Sequence, residues 1–320
     1  MKRQDSLTLR VGFTIIELLV VIGILGILLA ALLPMVGGSR DSALNAKCQN
    51  NMKNLALGVI TYAQGHSDHG HFPAAGLYRS VDPTSKRTSY WPHRPWISNN
   101  GSPSQLNNSQ PSVLLGDVVH FSDAEDAVRM ALTNGAIWVA AGSSYEVYRC
   151  PVHAREYEKK HSGRQPGWSY MMNQEFGFNR DGAGKYAFFG SSINGSITVS
   201  TESSGRRDRK TDKKASRGHD KVLLLAEIQG IDVNEKGVSL KAATSGSQTD
   251  AVLEYTQESM GFNHPIGKHR WGGNVAFADG HVDSVILPTS MDSKELTRYL
   301  CQGFDVPHDG RTYKPSAVDE

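Results

Sequence analysis

The sequence predicts an α+β protein in which one long N-terminal helix packs against an antiparallel, β-rich globular domain. Three observations lead to this prediction. The stretch 13–33 is almost entirely apolar, residues 40–64 repeat apolar side chains at steps of three and four, and the remainder consists of short apolar runs separated by turn-forming residues. The 320 residues suffice for about two average domains or one large one.

The composition is that of an ordinary globular chain. With 39% hydrophobic and 21% charged residues, the sequence excludes wholesale disorder. Its 34 basic and 32 acidic residues give a net charge of +2, which argues against a nucleic-acid binder that relies on bulk charge. Function therefore has to be inferred from where the residues lie along the chain.

The apolar stretch Phe13–Leu33 is long enough to cross a bilayer. As a helix it would extend about 31 Å, which matches the hydrocarbon core of a membrane. The leader before it, residues 1–12, carries three basic residues and one acidic residue, and the positive-inside rule places this leader in the cytoplasm. The sequence therefore predicts a transmembrane helix over 13–34, although an ordinary signal anchor would have the same hydropathy.

Glu17 distinguishes this apolar stretch from an ordinary signal anchor. A carboxylate in a membrane helix costs roughly 2.5–3.5 kcal/mol at mid-bilayer and less near the interface. The apolar run contains no basic side chain that could pair with it. Cleavage between Gly12 and Phe13 would create an α-amine one helical turn from Glu17, and that amine, or the amine of a neighbouring subunit, would supply a partner.

The segment 12–18 (GFTIIEL) resembles the processing site of type IV pilins and type II secretion pseudopilins. The resemblance also covers the short basic leader, the apolar helix and Pro34. It implies that a prepilin peptidase cuts after Gly12 and methylates the new N-terminal residue, Phe13. It further implies that Glu17 acts in assembly.

The same resemblance implies a non-enzymatic subunit that is assembled through its N-terminal helix into a pilus or a secretion pseudopilus. The implied partners are the prepilin peptidase/methyltransferase, other pilin-like subunits, an inner-membrane assembly platform and the lipid bilayer. The implied location is the bacterial inner membrane, crossed once, with the C-terminal domain extracytoplasmic. Pilus, pseudopilus and minor subunit stay open, as do periplasmic or surface filaments. The alternative is a membrane-anchored extracytoplasmic binding module that does not polymerise.

Residues 35–64 predict an amphipathic extension of the N-terminal helix. Apolar side chains recur there at steps of three and four, which places them on one helix face. The members of this stripe are Leu44, Cys48, Met52, Leu55, Val59 and Tyr62. We expect the stripe to pack against the β-rich domain, with a kink or local melting at Pro34 and a C-terminal end at Gly65.

Residues 65–320 predict the β-rich extracytoplasmic domain. The strand candidates are 146–150, 168–173, 221–228 and 274–287, and residues 122–133 predict a short helix. The polar segments 201–220 and 241–250 predict exposed loops. The first of these is strongly basic, but a solvated loop explains it better than contact with nucleic acid. Because the domain is much larger than a minimal pilin domain, we expect long loop insertions between its strands.

The segment 274–287 carries two alternating apolar runs around Asp279-Gly280, a dipeptide favoured in two-residue hairpin turns. His269 precedes Asp279 with nine residues between them. This spacing is similar to the H-X9-DG element at the C-terminal end of many large pilin-like bacterial proteins, and it defines the range 269–280. The resemblance assigns no role to the element, although His269 could brace the turn through a hydrogen bond.

No enzymatic or cofactor motif stands out in the sequence. It has no G-x-S-x-G, P-loop, H-E-x-x-H or dinucleotide fingerprint, so we expect neither catalysis nor a cofactor. Glu227 follows an apolar run, where a catalytic acid could sit, but a buried carboxylate bonded to backbone or to arginine explains it better.

Two histidine-containing groups are candidate metal sites. The first is the turn that holds His66, Asp68, His69 and His71, and the second comprises His264, His269, Asp279, His281 and Asp283. Imidazoles and carboxylates are ordinary zinc ligands. A solvated loop explains the first group better, and turn residues explain the second, so we expect no metal site.

The three cysteines are too few for a disulfide scaffold. Cys48 lies on the apolar stripe and is expected to be a core residue. Cys150 and Cys301 both belong to the extracytoplasmic domain and could pair, since that compartment permits disulfides. Free buried thiols are the favoured state.

Overall fold

The computed structural model describes most of the chain in separate stretches. These are residues 14–65, 70–75, 80–81, 88–89, 95–97, 128–129, 131–160, 166–176, 178–180, 186–188, 193–200, 214–228, 251–253, 255, 259–266, 270–286, 291–308 and 311–313.

Within these stretches the protein is a mixed helix and strand structure. Its α-helices are α1 (Ile15–Gly65), α2 (Pro151–Lys160) and α3 (Ser293–Cys301). Its strands are β1 (Ser80–Val81), β2 (Thr88–Ser89), β3 (Tyr170–Asn173), β4 (Phe178–Arg180), β5 (Tyr186–Phe188), β6 (Ile197–Ser200), β7 (Lys214–Arg217), β8 (Leu223–Glu227), β9 (Val252–Leu253), β10 (His264–Ile266), β11 (Arg270–Phe277), β12 (Val282–Ile286), β13 (Val306–His308) and β14 (Arg311–Tyr313).

A six-stranded sheet forms the centre of the domain. Its strand order is β10-β11-β8-β3-β9, and β12 also pairs with β11. Every pairing is antiparallel except that of β3 with β9. All residues of β3 and β8 are buried, as expected for inner strands with both faces covered. The remaining strands form two-stranded pairs: β1-β2, β4-β5, β6-β7 and β13-β14.

The chain divides into two compact units, residues 1–43 and residues 44–320. In the second unit, the stripe on the second half of α1 lies in the hydrophobic core. Cys48, Met52, Leu55 and Val59 are fully buried, and Leu44 packs against the core while half-buried. The packing face predicted from the sequence is therefore buried in the structure.

At Pro34 the structure answers one of the two alternatives predicted for α1. The backbone is helical through Pro34 and the Gly37-Gly38 pair, so local melting is not observed there. A proline removes one backbone hydrogen bond, which a helix can tolerate. A kink at this position stays a prediction. The predicted end at Gly65 is confirmed.

Three of the predicted strands correspond to strands of the central sheet, and one does not. Residues 168–173 contain β3, 221–228 contain β8, and 274–287 contain β12 and the second half of β11. The candidate at 146–150 is wrong, because Tyr145–Tyr148 form a 3₁₀ turn. The Asn51 side chain donates to the carbonyls of Glu146 (3.1 Å) and Arg149 (2.9 Å), which engages acceptors that a sheet would use.

The predicted basic loop 201–220 is partly a strand. Its residues 214–217 form β7, which pairs with β6 in an antiparallel hairpin, while residues 201–213 lie outside the described part of the chain. In the predicted helix 122–133, residues 128–129 and 131–133 are helical and the others lie outside the description, as does the predicted loop 241–250.

Leu55→Asp should destabilise the domain strongly, because Leu55 is fully buried and an unpaired charge there costs about 3–5 kcal/mol. The matched control is Leu57→Asp on the same helix. Leu57 is 44% exposed, so its replacement should cost about 1 kcal/mol or less. Denaturant unfolding of the full chain in detergent measures both values. Equal unfolding midpoints for the two variants would contradict the assignment of the packing face.

Candidate functional site

The N-terminal processing motif is described only from Thr14 onward. Gly12 and Phe13 lie outside the described residues. Thr14 precedes the first residue of α1, and its N–H and hydroxyl both donate to Glu17 Oε2 at 2.9 Å. The Glu17 N–H in turn donates to Thr14 Oγ1 at 3.3 Å. This reciprocal pattern is a capping box, which satisfies backbone donors at the start of a helix.

The capping box was not anticipated from the sequence, although the T-x-x-E spacing is its ordinary signature. It shows that Glu17 has a local partner within its own chain. Both bonds from Thr14 go to Oε2, and the second oxygen of a carboxylate can accept from a further donor. The geometry is therefore compatible with a capping role, and it leaves room for a second partner.

The first half of α1 exposes an apolar surface. Ile15, Ile16 and Ile27 are 79%, 73% and 73% exposed. The other large apolar side chains from Leu18 to Leu28 are also exposed. Within the part of the chain that the structure describes, no helix has both the length and the apolarity required to cross a membrane. The predicted span 13–34 extends beyond that part, because Phe13 and the side chains of 29–34 are outside it.

The Asp279-Gly280 turn closes the β11–β12 hairpin, but in a form different from the predicted two-residue turn. The Gly280 N–H donates to the Phe277 carbonyl (2.9 Å), and the Phe277 N–H donates to the His281 carbonyl (2.9 Å). The loop thus has three residues, 278–280, and ends at Gly280 with φ +88°. A glycine in the left-handed region is the usual end of such a three-residue loop.

The same turn lies against α1. Lys53 Nζ donates to the Gly280 carbonyl at 2.6 Å. A Cβ placed on Gly280 would lie 2.8 Å from Ile60 Cδ1, so the absence of a side chain allows this approach. Because a glycine is needed here for both conformation and contact, the Asp279-Gly280 pair has a clear structural use: it docks the C-terminal hairpin on the N-terminal helix.

Asp279 stabilises the turn through hydrogen bonds of its own side chain. Its Oδ1 accepts hydrogen bonds from the His281 N–H (3.0 Å) and from His281 Nδ1 (2.6 Å). Partial burial of Asp279 opposes ionisation, but the His281 hydrogen bonds and charge outweigh it, so the pKa of Asp279 lies below its usual value. The His281 ring stacks on Phe277 with centroids 4.3 Å apart. His269, the first residue of the H-X9-DG element, lies outside the described residues.

A second polar site is completely buried where α1 meets the sheet. It comprises Cys48 on α1, Cys150 before α2, Glu227 at the end of β8 and His264 at the start of β10, each 0% exposed. His264 Nε2 lies 2.9 Å from Glu227 Oε1 and 3.7 Å from Cys150 Sγ. One donor atom from each of the four residues fits within a 4.8 Å group.

Amide side chains surround Glu227. Asn274 Nδ2 donates to Glu227 Oε1 at 3.1 Å, and Asn263 Nδ2 lies 3.4 Å from Oε2. Asn274 is itself positioned by Asn45 of α1, whose Oδ1 accepts from Asn274 Nδ2 at 2.8 Å. Among the described residues, the partners of the carboxylate are His264 and these amides, whereas the sequence suggested backbone or arginine.

Close backbone approach makes this site possible. A Cβ on Gly273 of β11 would collide with the Gly261 carbonyl oxygen, and the Gly261 N–H donates to the Glu227 carbonyl at 2.7 Å. The pair of glycines therefore lets segment 259–263 lie directly on the sheet. Asn263 at the end of this segment and His264 directly after it are thereby placed next to Glu227.

Tyr170 of β3, which lies opposite Glu227 of β8 in the sheet, also borders the buried site. Burial, and next the negative charge of Glu227, raise the pKa of Tyr170 well above its usual value. The phenol therefore stays protonated, and it donates to the Cys48 carbonyl at 3.4 Å. This contact ties α1 to the central sheet beside the cysteine.

The pairing of the cysteines differs from the pairing expected from the sequence. Cys48 and Cys150 form a disulfide, with Cα atoms 5.1 Å apart, and Cys301 is a free buried thiol. The sequence instead suggested free thiols or a Cys150–Cys301 pair. Burial, and next the charge of Glu175, raise the pKa of Cys301 well above its usual value, which makes this thiol unreactive.

The two histidine groups weighed from the sequence have different outcomes. In the first, His66, Asp68 and His69 lie outside the described residues and His71 is half-buried. In the second, Asp279 and His281 pair in the hairpin turn, whereas His264 joins Glu227 and Cys150. No local pattern in the sequence predicts that Cys48 and His264 come together, because these residues are distant along the chain.

Comparison with known proteins bears on part of the chain. Residues 39–188 match the model of a family described as a protein of unknown function (DUF1559). The matched region includes the second half of α1 and both cysteines of the disulfide. It is compatible with a pilin-like protein and specifies no function. Neither a curated protein nor a solved structure matches the chain.

The disulfide predicts a defined thiol count. Native, unreduced protein should show no reactive thiol, denatured unreduced protein one per chain, and reduced denatured protein all three. Alkylation followed by intact mass measures these counts, and peptide mapping should link Cys48 to Cys150. A Cys150–Cys301 linkage, or three thiols without reduction, would contradict the pairing.

Proposed function

We propose that this chain is a non-enzymatic, pilin-like subunit that a prepilin peptidase processes and that assembles through its N-terminal helix. The observation that carries the proposal is the GFTIIEL segment at the head of α1. It combines the expected cleavage position with an apolar helix and a lone carboxylate. The family match at 39–188 is compatible with this function at a coarser level.

The exposed apolar residues of α1 support the proposal on physical grounds. Side chains such as Ile15, Leu19 and Leu25 are all more than half exposed, and a surface of this kind requires a covering environment. A bilayer covers it before assembly, and the same helix of other subunits covers it in a filament. The proposed location is accordingly the bacterial inner membrane, with transfer to a filament.

Glu17 has two roles in this proposal. Within its own chain it caps the start of α1 through Thr14. In an assembly its remaining oxygen accepts a hydrogen bond that the α-amine of Phe13 of an adjacent subunit donates. A buried carboxylate without a partner is strongly unfavourable, so this pairing fixes the axial register of neighbouring helices.

Processing is the first test of the proposal. Chain expressed with a prepilin peptidase should begin at Phe13 and carry one methyl group on the Phe13 amine. Chain expressed without the peptidase should keep residues 1–12 and serves as the control. Intact mass and N-terminal sequencing of membrane fractions measure the outcome. A mature chain that begins at any other residue, or that keeps the leader when the peptidase is present, would refute processing.

Glu17→Leu and Glu17→Gln separate the capping role from the assembly role. Glutamine can still accept the Thr14 bonds of a capping box but lacks the charge, whereas leucine loses both. Both variants should be inserted and cleaved, and both should enter filaments about tenfold less than wild type, because each lacks a charge-assisted bond. Quantified sheared or periplasmic filament fractions give the result.

The incorporation of the two variants into filaments, compared with each other, shows which role of Glu17 is contradicted. Normal incorporation of Glu17→Gln together with loss for Glu17→Leu would show that only the cap matters. Normal incorporation of both would refute the assembly role. Normal membrane insertion with no filaments for any chain, wild type included, would favour a membrane-anchored binding module.

A further inference from the structure

We propose that Cys48, Cys150, His264 and Glu227 form a closed site for one divalent transition-metal ion, best suited to zinc, when the Cys48–Cys150 disulfide is reduced. This site is independent of N-terminal processing. It would make the junction between α1 and the sheet a cross-link in either redox state, covalent when oxidised and coordinate when reduced.

The positions of the donor atoms fit a tetrahedral ion. Zinc binds sulfur at about 2.3 Å and nitrogen or oxygen at about 2.0–2.2 Å, which places its ligands about 3–4 Å from one another. The four donors lie within 4.8 Å of one another, with His264 Nε2 at 3.7 Å from Cys150 Sγ. Opening the sulfur–sulfur bond would separate the two sulfur atoms toward this spacing. Small side-chain movements then complete the geometry.

The chemistry of the donors selects the metal class. Two thiolates, one imidazole and one carboxylate suit zinc or a similar borderline ion, whereas magnesium and calcium require oxygen ligands. All four side chains are fully buried, so the site has no open position for water or substrate. Closed four-ligand sites of this type are structural and not catalytic.

A surrounding shell holds the carboxylate in place. Asn274 donates to Glu227 Oε1 at 3.1 Å, and Ser284 Oγ donates to Asn274 Oδ1 at 2.6 Å. Asn263 is anchored separately, since its Nδ2 donates to the Ile228 carbonyl at 2.8 Å. Such outer partners orient metal ligands, and they distinguish a built site from polar residues gathered by chance.

Burial makes Glu227 dependent on its close partners. Removing a carboxylate from water costs several kcal/mol unless polar or charged groups compensate it. Among the described residues His264 Nε2 lies 2.9 Å from Glu227 Oε1, and His264 Nδ1 is buried with no hydrogen-bond partner in that part of the structure. In the zinc-bound state the two positive charges of the ion face two thiolates and one carboxylate, so the net charge of the site equals that of the carboxylate alone. Zinc therefore replaces the imidazole contact of Glu227 with a direct metal–oxygen bond.

The conversion between the two states balances. A phosphine reductant and one water convert the disulfide to two thiols and are themselves converted to the phosphine oxide. Zinc then binds the two sulfurs, His264 Nε2 and the Glu227 carboxylate, and the two thiol protons are released to solvent. The imidazole keeps one proton, which moves from Nε2 to Nδ1.

Zinc binding by the full chain in detergent tests the proposal. The protein is reduced with a phosphine, stripped with a chelator, supplied with Zn²⁺ and desalted. Reduced wild type should retain one zinc per chain, while oxidised wild type, which still contains every histidine, should retain none. In the reduced protein Co²⁺ should give a thiolate-to-metal charge-transfer band. Zinc should also raise the melting temperature of the reduced chain.

Variants test the individual ligands. His264→Gln should lower zinc affinity at least about tenfold, by analogy with the loss seen on removing even outer partners. Cys301→Ser removes the buried thiol outside the site, and His281→Gln removes a turn imidazole, so both controls should bind like wild type. Circular dichroism confirms that each variant is folded.

Several results would overturn the proposal. One is a folded, reduced wild type that retains no zinc. Another is equal retention by the oxidised chain or by His264→Gln, because the metal would then be held elsewhere. A reduced wild-type chain that unfolds and that zinc does not restore would also refute it.

Discussion

The second half of α1 is buried in the domain by its apolar stripe, and polar contacts along the same helix fix where it lies. Cys48 is joined covalently to Cys150, the Asn51 amide donates to two carbonyls of the 146–149 turn, and Lys53 donates to the hairpin turn at Gly280. Apolar burial is strong but not directional. The polar contacts are directional. Each of them can form in only one register of the helix against its partner in the domain.

This constraint explains why the buried polar site lies where it does. Asn45, one turn before Cys48 on α1, bonds to Asn274 on β11, and Asn274 bonds to Glu227 on β8. A change in helix register would break the bond between Asn45 and Asn274, which orients the amide that donates to Glu227. Buried polar networks of this kind are costly when incomplete, so they favour one arrangement over its neighbours. In the proposed assembly, the same network and disulfide keep the domain attached to the helix that polymerises.

The sequence was informative where the signal is local. The stripe from Leu44 to Val59 follows helical periodicity, and the apolar runs of β3 and β8 are distinct enough to be assigned directly. The 3₁₀ turn at Tyr145–Tyr148 was misread, because its conformation depends on Asn51, almost a hundred residues away along the chain. The β6–β7 hairpin was likewise hidden, since Lys214–Arg217 is strongly polar and gains its strand conformation only by pairing.

The buried site shows the same limit more sharply. Glu227 could be singled out because it follows five apolar residues, but its partners could not be named. Cys48 and Cys150 are separated by 102 positions, and His264 comes from a third region of the chain. Only the packing of α1 on the sheet brings them together. These residues have no distinctive local pattern. They form a polar site only because the fold brings them together, and a single sequence does not show which distant residues the fold brings together.

The Asp279-Gly280 pair can now be understood from the contacts of its turn. Gly280 combines a left-handed backbone with an approach to Ile60 that a side chain would obstruct, and its carbonyl accepts from Lys53. Asp279 holds the turn through His281, and its lowered pKa means that it stabilises the folded state more when ionised. That contribution is present above the ordinary pKa of an aspartate and is lost as the pH falls through the lower folded value. The pair therefore acts as a clamp between the last hairpin of the sheet and the first helix of the chain, which requires no ligand or catalytic step.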